Sequence, residues 1–258
     1  GTAIVNLLQL DGGEKVTTVI PVDEDQGGNL VMATKNGLIK KTALSEFRNL
    51  RASGLIAVTL REDDELIGVT MTDGTRELLL GTRQGMSIRF HEDDVRTMGR
   101  TAMGVRSIDL APGDEVVSMS AVQEDCEVLT ISENGYGKRT PEAEYRVQSR
   151  GGKGIKAMQL TDKTGPLSAL MLVREDEDVM LISDDGTIIR MAVADISTQS
   201  RSTQGVRLMR LADSSRVVAV TTTEKIEETD EEARADASAA LPEADPNAPD
   251  TAAPDALS

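Results

Sequence analysis

Lysine and arginine recur at fixed positions along this chain of 258 residues. Each of these positions is defined by its distance from a glycine, and most repeats of the pattern keep the basic residue. The basic residues in register are Lys41, Arg89, Arg139 and Arg190, then Arg51, Arg100, Arg150 and Arg201, and finally Arg106, Lys156 and Arg207. Cations at regular intervals bind polyanions, above all nucleic-acid phosphates, without reading the bases. Any one of them alone is more often a solubilising side chain on a strand.

A second group of candidates lies between residues 134 and 154. Lys138 and Arg139 follow the turn dipeptide Asn134-Gly135, as Lys40 and Lys41 follow Gly37. The segment ends in a glycine-rich basic motif made of Gln148, Ser149, Arg150, Gly151, Gly152, Lys153 and Gly154. Glycine lets a backbone approach a phosphate and present N–H donors, so the motif is a candidate phosphate-binding loop. The alternative is an ordinary loop, which is what two adjacent glycines usually form.

These residues belong to a fourfold internal repeat. The first glycine series is Gly37, Gly85, Gly135 and Gly186, with steps of 48, 50 and 51 residues. The second series is Gly54, Gly104, Gly154 and Gly205, with steps of 50, 50 and 51 residues. A period of roughly 40–50 residues is typical of propeller blades and similar arrays.

The pattern within one repeat indicates short strands. An apolar run such as 128–131 precedes a turn of the Asn-Gly type, here Asn134-Gly135, which favours a hairpin with positive φ at both central residues. After the turn the residues alternate, so Arg89 lies opposite Ile88 and is predicted to point to solvent. A further strand pair at 105–110 and 115–122 gives about four strands per repeat. We therefore predict an all-β, propeller-like β-pinwheel of four-stranded blades, with about four and a half blades present.

Composition sets further limits. The net charge is −16, of which −9 belongs to residues 224–258 and −7 to residues 1–223, so nucleic-acid binding requires that positive and negative charges be segregated. Residues 224–258 are acidic and rich in Ala and Pro, which predicts a disordered tail. With a net charge of −9, this tail is itself a polyanion, and we expect it to compete with a bound polyanion for basic surface. The single cysteine, Cys126, excludes an internal disulfide, and this, with no signal peptide or membrane-length apolar run, predicts a cytoplasmic protein that does not enter a membrane.

Other chemistry has little support in the sequence. His91 is the only histidine and has no nearby Cys or second His, so we predict neither a metal site nor a catalytic residue. Cys126 is expected to be a small buried residue, and Tyr136 and Tyr145 are expected to be structural. Residues 184–186 resemble the start of a calcium loop, but the remaining ligand spacing is missing and a hairpin turn explains them.

The repeats resemble the C-terminal domain of the DNA gyrase A subunit. The resemblance covers residues 1–223 and is carried by residues 4–8, 64–69 and 134–140 and by the motifs at Gly104 and Gly205. It implies a six-bladed β-pinwheel that wraps double-stranded DNA around a basic rim, so that the parent topoisomerase introduces negative supercoils. The family's box motif, Gln-Arg-Arg-Gly-Gly-Lys-Gly, lies in its first blade. The motif at 148–154 is similar, with Ser149 in place of the first arginine, and is read as a degenerate copy in a later blade.

We therefore expect a non-catalytic DNA-wrapping domain at 1–223 and a disordered tail at 224–258. The chain begins in mid-repeat, which suggests a fragment that lacks the first blade. The resemblance further implies that ATP and Mg are used by the parent enzyme and not by this fragment, which needs no cofactor. It also implies that the gyrase A dimer and B subunits are reached through the missing N-terminal part, and that the protein associates with the bacterial nucleoid. The alternatives are the equivalent domain of topoisomerase IV, or a propeller that binds proteins.

Overall fold

The computed structural model describes residues 16–22, 27–48 and 54–225. Within these ranges the chain forms short strands joined by tight turns. In chain order the strands are β1 Asn29–Thr34, β2 Leu38–Ala43, β3 Leu66–Thr72, β4 Glu77–Thr82, β5 Met86–His91, β6 Val105–Arg106, β7 Val116–Ala121, β8 Glu127–Ser132, β9 Tyr136–Pro141, β10 Ile155–Lys156, β11 Leu167–Val173, β12 Glu177–Ser183, β13 Ile188–Ala192, β14 Val206–Arg207 and β15 Val217–Glu224. Single 3-10 turns follow the second strand of each repeat at Leu44–Phe47, Glu92–Asp94, Glu142–Glu144 and Val193–Asp195.

The described strands form four antiparallel sheets, one for each repeat. Their strand orders are β3-β1-β2-β6 in the first sheet, β7-β4-β5-β10 in the second, β11-β8-β9-β14 in the third and β15-β12-β13 in the fourth. The predicted all-β, propeller-like fold is confirmed, with four blades in the described part of the chain. Residues 1–15 of the predicted half-blade and all but two residues of the predicted tail lie outside it. The sequence of residues 14–22 is similar to that of residues 115–122 and predicts a strand, but residues 16–22 form none.

The turn glycines have the predicted role but not the predicted turn type. The backbone φ of Gly37, Gly85, Gly135 and Gly186 lies between 77° and 86°. In each turn the glycine N–H donates to the carbonyl three residues earlier, for example Gly85 to Thr82 at 2.9 Å. The residue before the glycine does not have positive φ, so the prediction of two such residues is wrong. This is the pattern of a three-residue hairpin loop that ends in a left-handed glycine.

The outer strand of each complete sheet comes from the following repeat. Strand β6 pairs with β2 through Leu38 and Ile39, although it belongs to the second repeat. In the same way β10 pairs with β5, and β14 pairs with β9. The prediction that segment 105–110 is a strand of its own repeat is therefore wrong: the strand is only two residues long and completes the preceding sheet.

The hydrophobic core lies between neighbouring sheets rather than inside each one. Leu78 and Leu80 of β4 pack toward the first sheet, whereas Leu79 between them packs with Val128 toward the third. Leu129 and Ile131 of β8 likewise pack toward the fourth sheet. Both faces of an inner sheet are therefore covered, and the side chains that fill the spaces are mainly aliphatic. Burial of each large aliphatic side chain contributes on the order of 2 kcal/mol.

Candidate nucleic-acid interface

The outer edge of each complete sheet is covered by a loop from the next repeat. We call residues 95–107, 145–157 and 196–208 the edge loops. Each begins with a parallel bridge to the second strand of the preceding repeat, at Thr97 with Lys41, Val147 with Arg89 and Thr198 with Arg139. Each then turns back and ends in the short outer strand β6, β10 or β14.

Backbone hydrogen bonds fix both ends of each edge loop. At the first end, Gln148 N–H donates to the carbonyl of Arg89 at 2.9 Å, and at the second, Ala157 N–H donates to the carbonyl of Gly85 at 2.8 Å. Equivalent pairs hold the other two edge loops. The side chains of the loops are therefore presented from a backbone that is anchored to the sheet beneath it.

The edge loops carry nine Lys or Arg residues and no Asp or Glu. Six of these cations are exposed: Arg96, Arg106, Arg146, Lys153, Lys156 and Arg207. The other three, Arg100, Arg150 and Arg201, are half-buried. In a chain whose residues 1–223 have a net charge of −7, this is the segregation of charge that nucleic-acid binding requires.

In the first three repeats the basic residue at the fourth position after the turn glycine does not point to solvent, and the prediction is wrong there. Arg190, the corresponding residue of the fourth repeat, is exposed as predicted. Lys41 and Arg139 are only 5% and 7% exposed. Arg139 Nη1 lies 2.7 Å from Glu127 Oε2, and its Nε and Nη2 donate to the carbonyls of Ile196 and Ala194. Lys41 similarly donates to the carbonyl of Glu92 at 2.9 Å. A buried cation must be paired in this way because its desolvation is costly.

Arg89 and Arg190 repeat this arrangement in less buried form. Arg89 Nη2 lies 2.5 Å from Glu77 Oε2, and Nη1 donates to the carbonyls of Glu142 and Tyr145. Arg190 Nε lies 2.7 Å from Asp178 Oδ2. The alternation of the strand correctly placed these residues on the face opposite Ile88 and its counterparts. In the first three repeats that face is covered by the following repeat instead of by water, whereas Arg190 stays exposed.

Lys40 and Lys138 are also internal. Lys138 is fully buried, and its Nζ donates to the carbonyls of Ser200 and Arg201 at 2.5 Å each. Lys40 Nζ donates to the carbonyls of Ala57 and Arg100. Burial is the main reason that the pKa of each ammonium is lowered to about 8. Both lysines hold turns of the edge loops in place, and their burial removes them from a DNA-contacting surface.

The half-buried arginines connect one edge loop to the next. Arg150 Nη1 donates to the carbonyl of Arg106 at 2.8 Å, and its Nε donates to the carbonyl of Asp94 at 2.7 Å. Arg201 Nη1 donates to the carbonyl of Lys156 at 2.7 Å. The three edge loops therefore form one continuous basic rim. The predicted residue Arg51 lies outside the described residues.

The glycine-rich motif at 148–154 forms the second edge loop, but its glycines serve the fold. A Cβ on Gly154, whose φ is +72°, would overlap the carbonyl of Ser87. The Gly151 N–H donates to the carbonyl of Ser107 at 2.6 Å. The Gly151 N–H is therefore already used within the protein, which contradicts the predicted backbone cradle for a phosphate at this position. Lys153 is the exposed cation of the motif.

Two exposed cations of the rim, Arg96 and Arg146, were missed by the sequence analysis. Each lies eleven residues after a turn glycine, and Arg48 has the same place in the first repeat. An arginine at this position therefore recurs in the first three repeats and could have been found in the sequence. In the fourth repeat the position is occupied by Ser197. All three arginines are exposed.

The remaining candidates have structural roles. His91 accepts the N–H of Asp93 at its Nδ1, and Cys126 is buried. Asp185 accepts hydrogen bonds from Ser183, Thr187 and Ser215, and the Ser183 hydroxyl above all holds its pKa well below the usual range. In the described ranges no group of three or more His, Cys, Asp or Glu residues is arranged to hold a metal ion. None of the described helices is long and apolar enough to cross a membrane.

The repeats match the family model described as the DNA gyrase C-terminal domain, beta-propeller, at residues 28–73, 76–123, 127–174 and 177–224. Over 221 residues the chain is 60% identical to the DNA gyrase A protein of Halalkalibacterium halodurans, a match that covers 85% of this chain and 26% of the relative. It is 49% identical over 221 residues to the same protein of Clostridium acetobutylicum, covering 85% of this chain and 27% of the relative. The chain thus spans about a quarter of the length of these relatives.

Solved structures agree with this assignment. The C-terminal domain of DNA topoisomerase IV superposes with a TM-score of 0.82 at 26% identity, over 93% of this chain and 76% of that one. The DNA gyrase A C-terminal domain superposes with a TM-score of 0.78 at 25% identity, over 86% of this chain and 74% of that one. Each of the four matched segments supplies three strands of one sheet, and the chain belongs to the DNA gyrase C-terminal domain family.

Proposed function

We propose that this chain is the DNA-wrapping domain of a gyrase A protein, with duplex DNA lying along the basic rim. The observation that carries the proposal is the composition of the edge loops, which hold nine cations and no carboxylate side chain. The six exposed side chains of the rim are free to contact phosphates, whereas the buried cations at the fourth position stabilise the blades. The contact set is therefore narrower than the one expected from sequence, and it includes Arg96 and Arg146.

The physical requirement for wrapping is that phosphate contacts outweigh the energy of bending. A sharp bend over 20–30 bp costs on the order of 1–6 kcal/mol. Cations repeated once per blade supply phosphate contacts at regular intervals along the bend. These contacts do not depend on the base sequence of the DNA. In the parent enzyme, the wrapped segment would bias strand passage toward negative supercoils. Strand passage, ATP, Mg and the other subunits belong to the parts of that enzyme beyond this domain.

The direct test is DNA binding by the full chain across a salt series. Replacing Arg106, Lys156 and Arg207 together with Gln should weaken binding to a linear duplex of about 140 bp and reduce the slope of log affinity against log salt by about 2.7. The matched control replaces Arg61, Arg174 and Arg216, which are exposed but lie outside the edge loops. Equal losses in the two triple variants would reject the rim as the DNA surface. No salt-dependent binding by the unchanged protein would favour a propeller that binds proteins.

The alternative of a topoisomerase IV domain is supported by the TM-score of 0.82 to such a domain. The two functions differ in whether the bound DNA is wrapped. Relaxation of a closed plasmid by a separate topoisomerase, in the presence of this protein, should leave a shifted linking number if the rim wraps DNA. Binding without a shift would favour the topoisomerase IV alternative.

A further inference from the structure

The outer-strand cation of the third sheet has a different environment from its counterparts in the first two. Arg106 Nη1 lies 3.3 Å from Asp109 Oδ1, and Lys156 Nζ donates to Gln159 Oε1 at 2.8 Å. Arg207 donates instead to the hydroxyl of Tyr136, from Nη2 at 2.9 Å and from Nε at 3.2 Å. Its charge is therefore oriented by a neutral group and is not cancelled by a carboxylate of the described chain.

A second cation lies over the same tyrosine. Lys163 Nζ is 5.4 Å from the centroid of the Tyr136 ring, and Arg207 Cζ is also 5.4 Å from it. Both cations are exposed, whereas the tyrosine is buried. Positions equivalent to Tyr136 in the first two repeats are Leu38 and Met86, so this arrangement occurs in the third sheet and not in the first two.

The cluster has the features of an anion site. The aromatic face attracts both cations and the hydroxyl fixes the plane of the guanidinium, while the Nη1 group of Arg207 has no acceptor among the described residues. The hydrogen bond from Arg207 also lowers the pKa of Tyr136, which reflects the positive potential at this place. Each cation lies 5.4 Å from the centroid of the same ring, and an anion bound by both would reduce the repulsion between these like charges.

We propose that Tyr136, Arg207 and Lys163 form a phosphate clamp, in which Tyr136 is a positioning residue and the two cations bind the backbone of the DNA on the rim. The proposal rests on the proposed function and adds Lys163 and Tyr136 to it. Because Arg207 has no carboxylate partner to release in the described chain, the clamp should be a stronger anchor than Arg106. It should also be stronger than Lys156, whose partner is the Gln159 amide, because Lys163 adds a second cation.

The test compares single variants of the full chain in duplex binding at about 0.1 M salt. Hydrogen bonds from a charged donor to phosphate are stronger than neutral ones, so Arg207→Gln should weaken binding about tenfold or more. Lys163→Gln should weaken it several-fold and Tyr136→Phe about threefold. Two controls are matched to these changes: Arg106→Gln at the equivalent outer strand, and Tyr145→Phe, whose buried hydroxyl has no hydrogen-bond partner in the described structure.

A double-mutant cycle separates positioning from simple stabilisation. If Tyr136 acts through Arg207, then Tyr136→Phe should cause no further loss of affinity in the Arg207→Gln protein. Additive losses would overturn the positioning role. Losses in Arg207→Gln and Lys163→Gln no larger than in Arg106→Gln would overturn the clamp while leaving DNA binding intact. Absence of salt-dependent binding by the unchanged protein would instead overturn the proposed function together with the clamp.

The source of the phosphate is tested by exchanging chloride for inorganic phosphate at constant ionic strength. A clamp for DNA should keep the difference in affinity between the unchanged protein and Arg207→Gln. Loss of that difference at millimolar phosphate would show that the cluster is a site for free phosphate, and would overturn its assignment to DNA.

Discussion

The Nε of Arg139 donates to the carbonyl oxygen of Ile196 at 2.7 Å and so joins the third repeat to the fourth. The same guanidinium pairs with Glu127 on the neighbouring strand of its own sheet. Lys41 and Arg89 make comparable links to the 3-10 turn of the repeat that follows each of them. In these three repeats, the cations at the fourth position after the turn glycine therefore connect neighbouring blades and do not form a binding surface.

The burial of Arg139 predicts a large effect on stability. Arg139→Gln leaves Glu127 and two carbonyls without their donor, and breaking a buried ion pair costs about 3–5 kcal/mol. Urea unfolding should therefore show a loss near the lower end of that range. Arg190→Gln is the matched control, because its pair with Asp178 is more exposed, and it should cost about 1 kcal/mol or less. Equal losses in the two variants would contradict the role of burial.

The buried lysines predict a pH dependence of stability. The pKa of Lys40 and of Lys138 is about 8 in the folded protein, below the value of about 10.4 of an exposed lysine. Between these values the unfolded chain binds more protons, so the free energy of unfolding should rise as pH increases from about 8 to 10. Each lysine contributes at most about 1.4 kcal/mol per pH unit. In Lys138→Met the rise should be smaller; an unchanged rise would contradict the assignment.

The two tyrosines should titrate on opposite sides of the usual tyrosine pKa of about 10. The hydrogen bond from Arg207 lowers the pKa of Tyr136, while burial raises that of Tyr145. Because the chain has two Tyr and no Trp, ultraviolet absorbance resolves the two steps. Arg207→Gln should move only the lower step, and it should move it upward. A single step at the usual tyrosine value would contradict both environments.

The exposed arginines that the sequence analysis missed should affect DNA binding and not stability. Arg96→Gln combined with Arg146→Gln should reduce the slope of log affinity against log salt by about 1.8. The melting temperature should stay within a degree or two, since both side chains are exposed. A large fall in melting temperature with an unchanged salt slope would contradict their place on the DNA surface.

The sequence was sufficient to predict the repeat, the fold class and the turn glycines, because each depends on local pattern. It was not sufficient for the direction of Lys41 and Arg139. The alternation of a strand shows which residues share a face, and it does not show whether another sheet covers that face. Nor does a pattern within one repeat show that β6 completes the sheet of the repeat before it. Arg96 and Arg146 were missed because only three basic positions of each repeat were compared. The position eleven residues after the turn glycine was not among them.

Because the outer strand of a sheet comes from the following repeat, the sheets are completed in chain order during synthesis. The first three sheets are each completed by a strand from the following repeat, which lies about seventy residues after the strand with which it pairs. During synthesis, the sheet made last therefore lacks its outer strand until the next repeat has left the ribosome. Each new repeat closes the sheet made before it, so the growing array of described sheets never has more than one such edge to protect from another nascent chain.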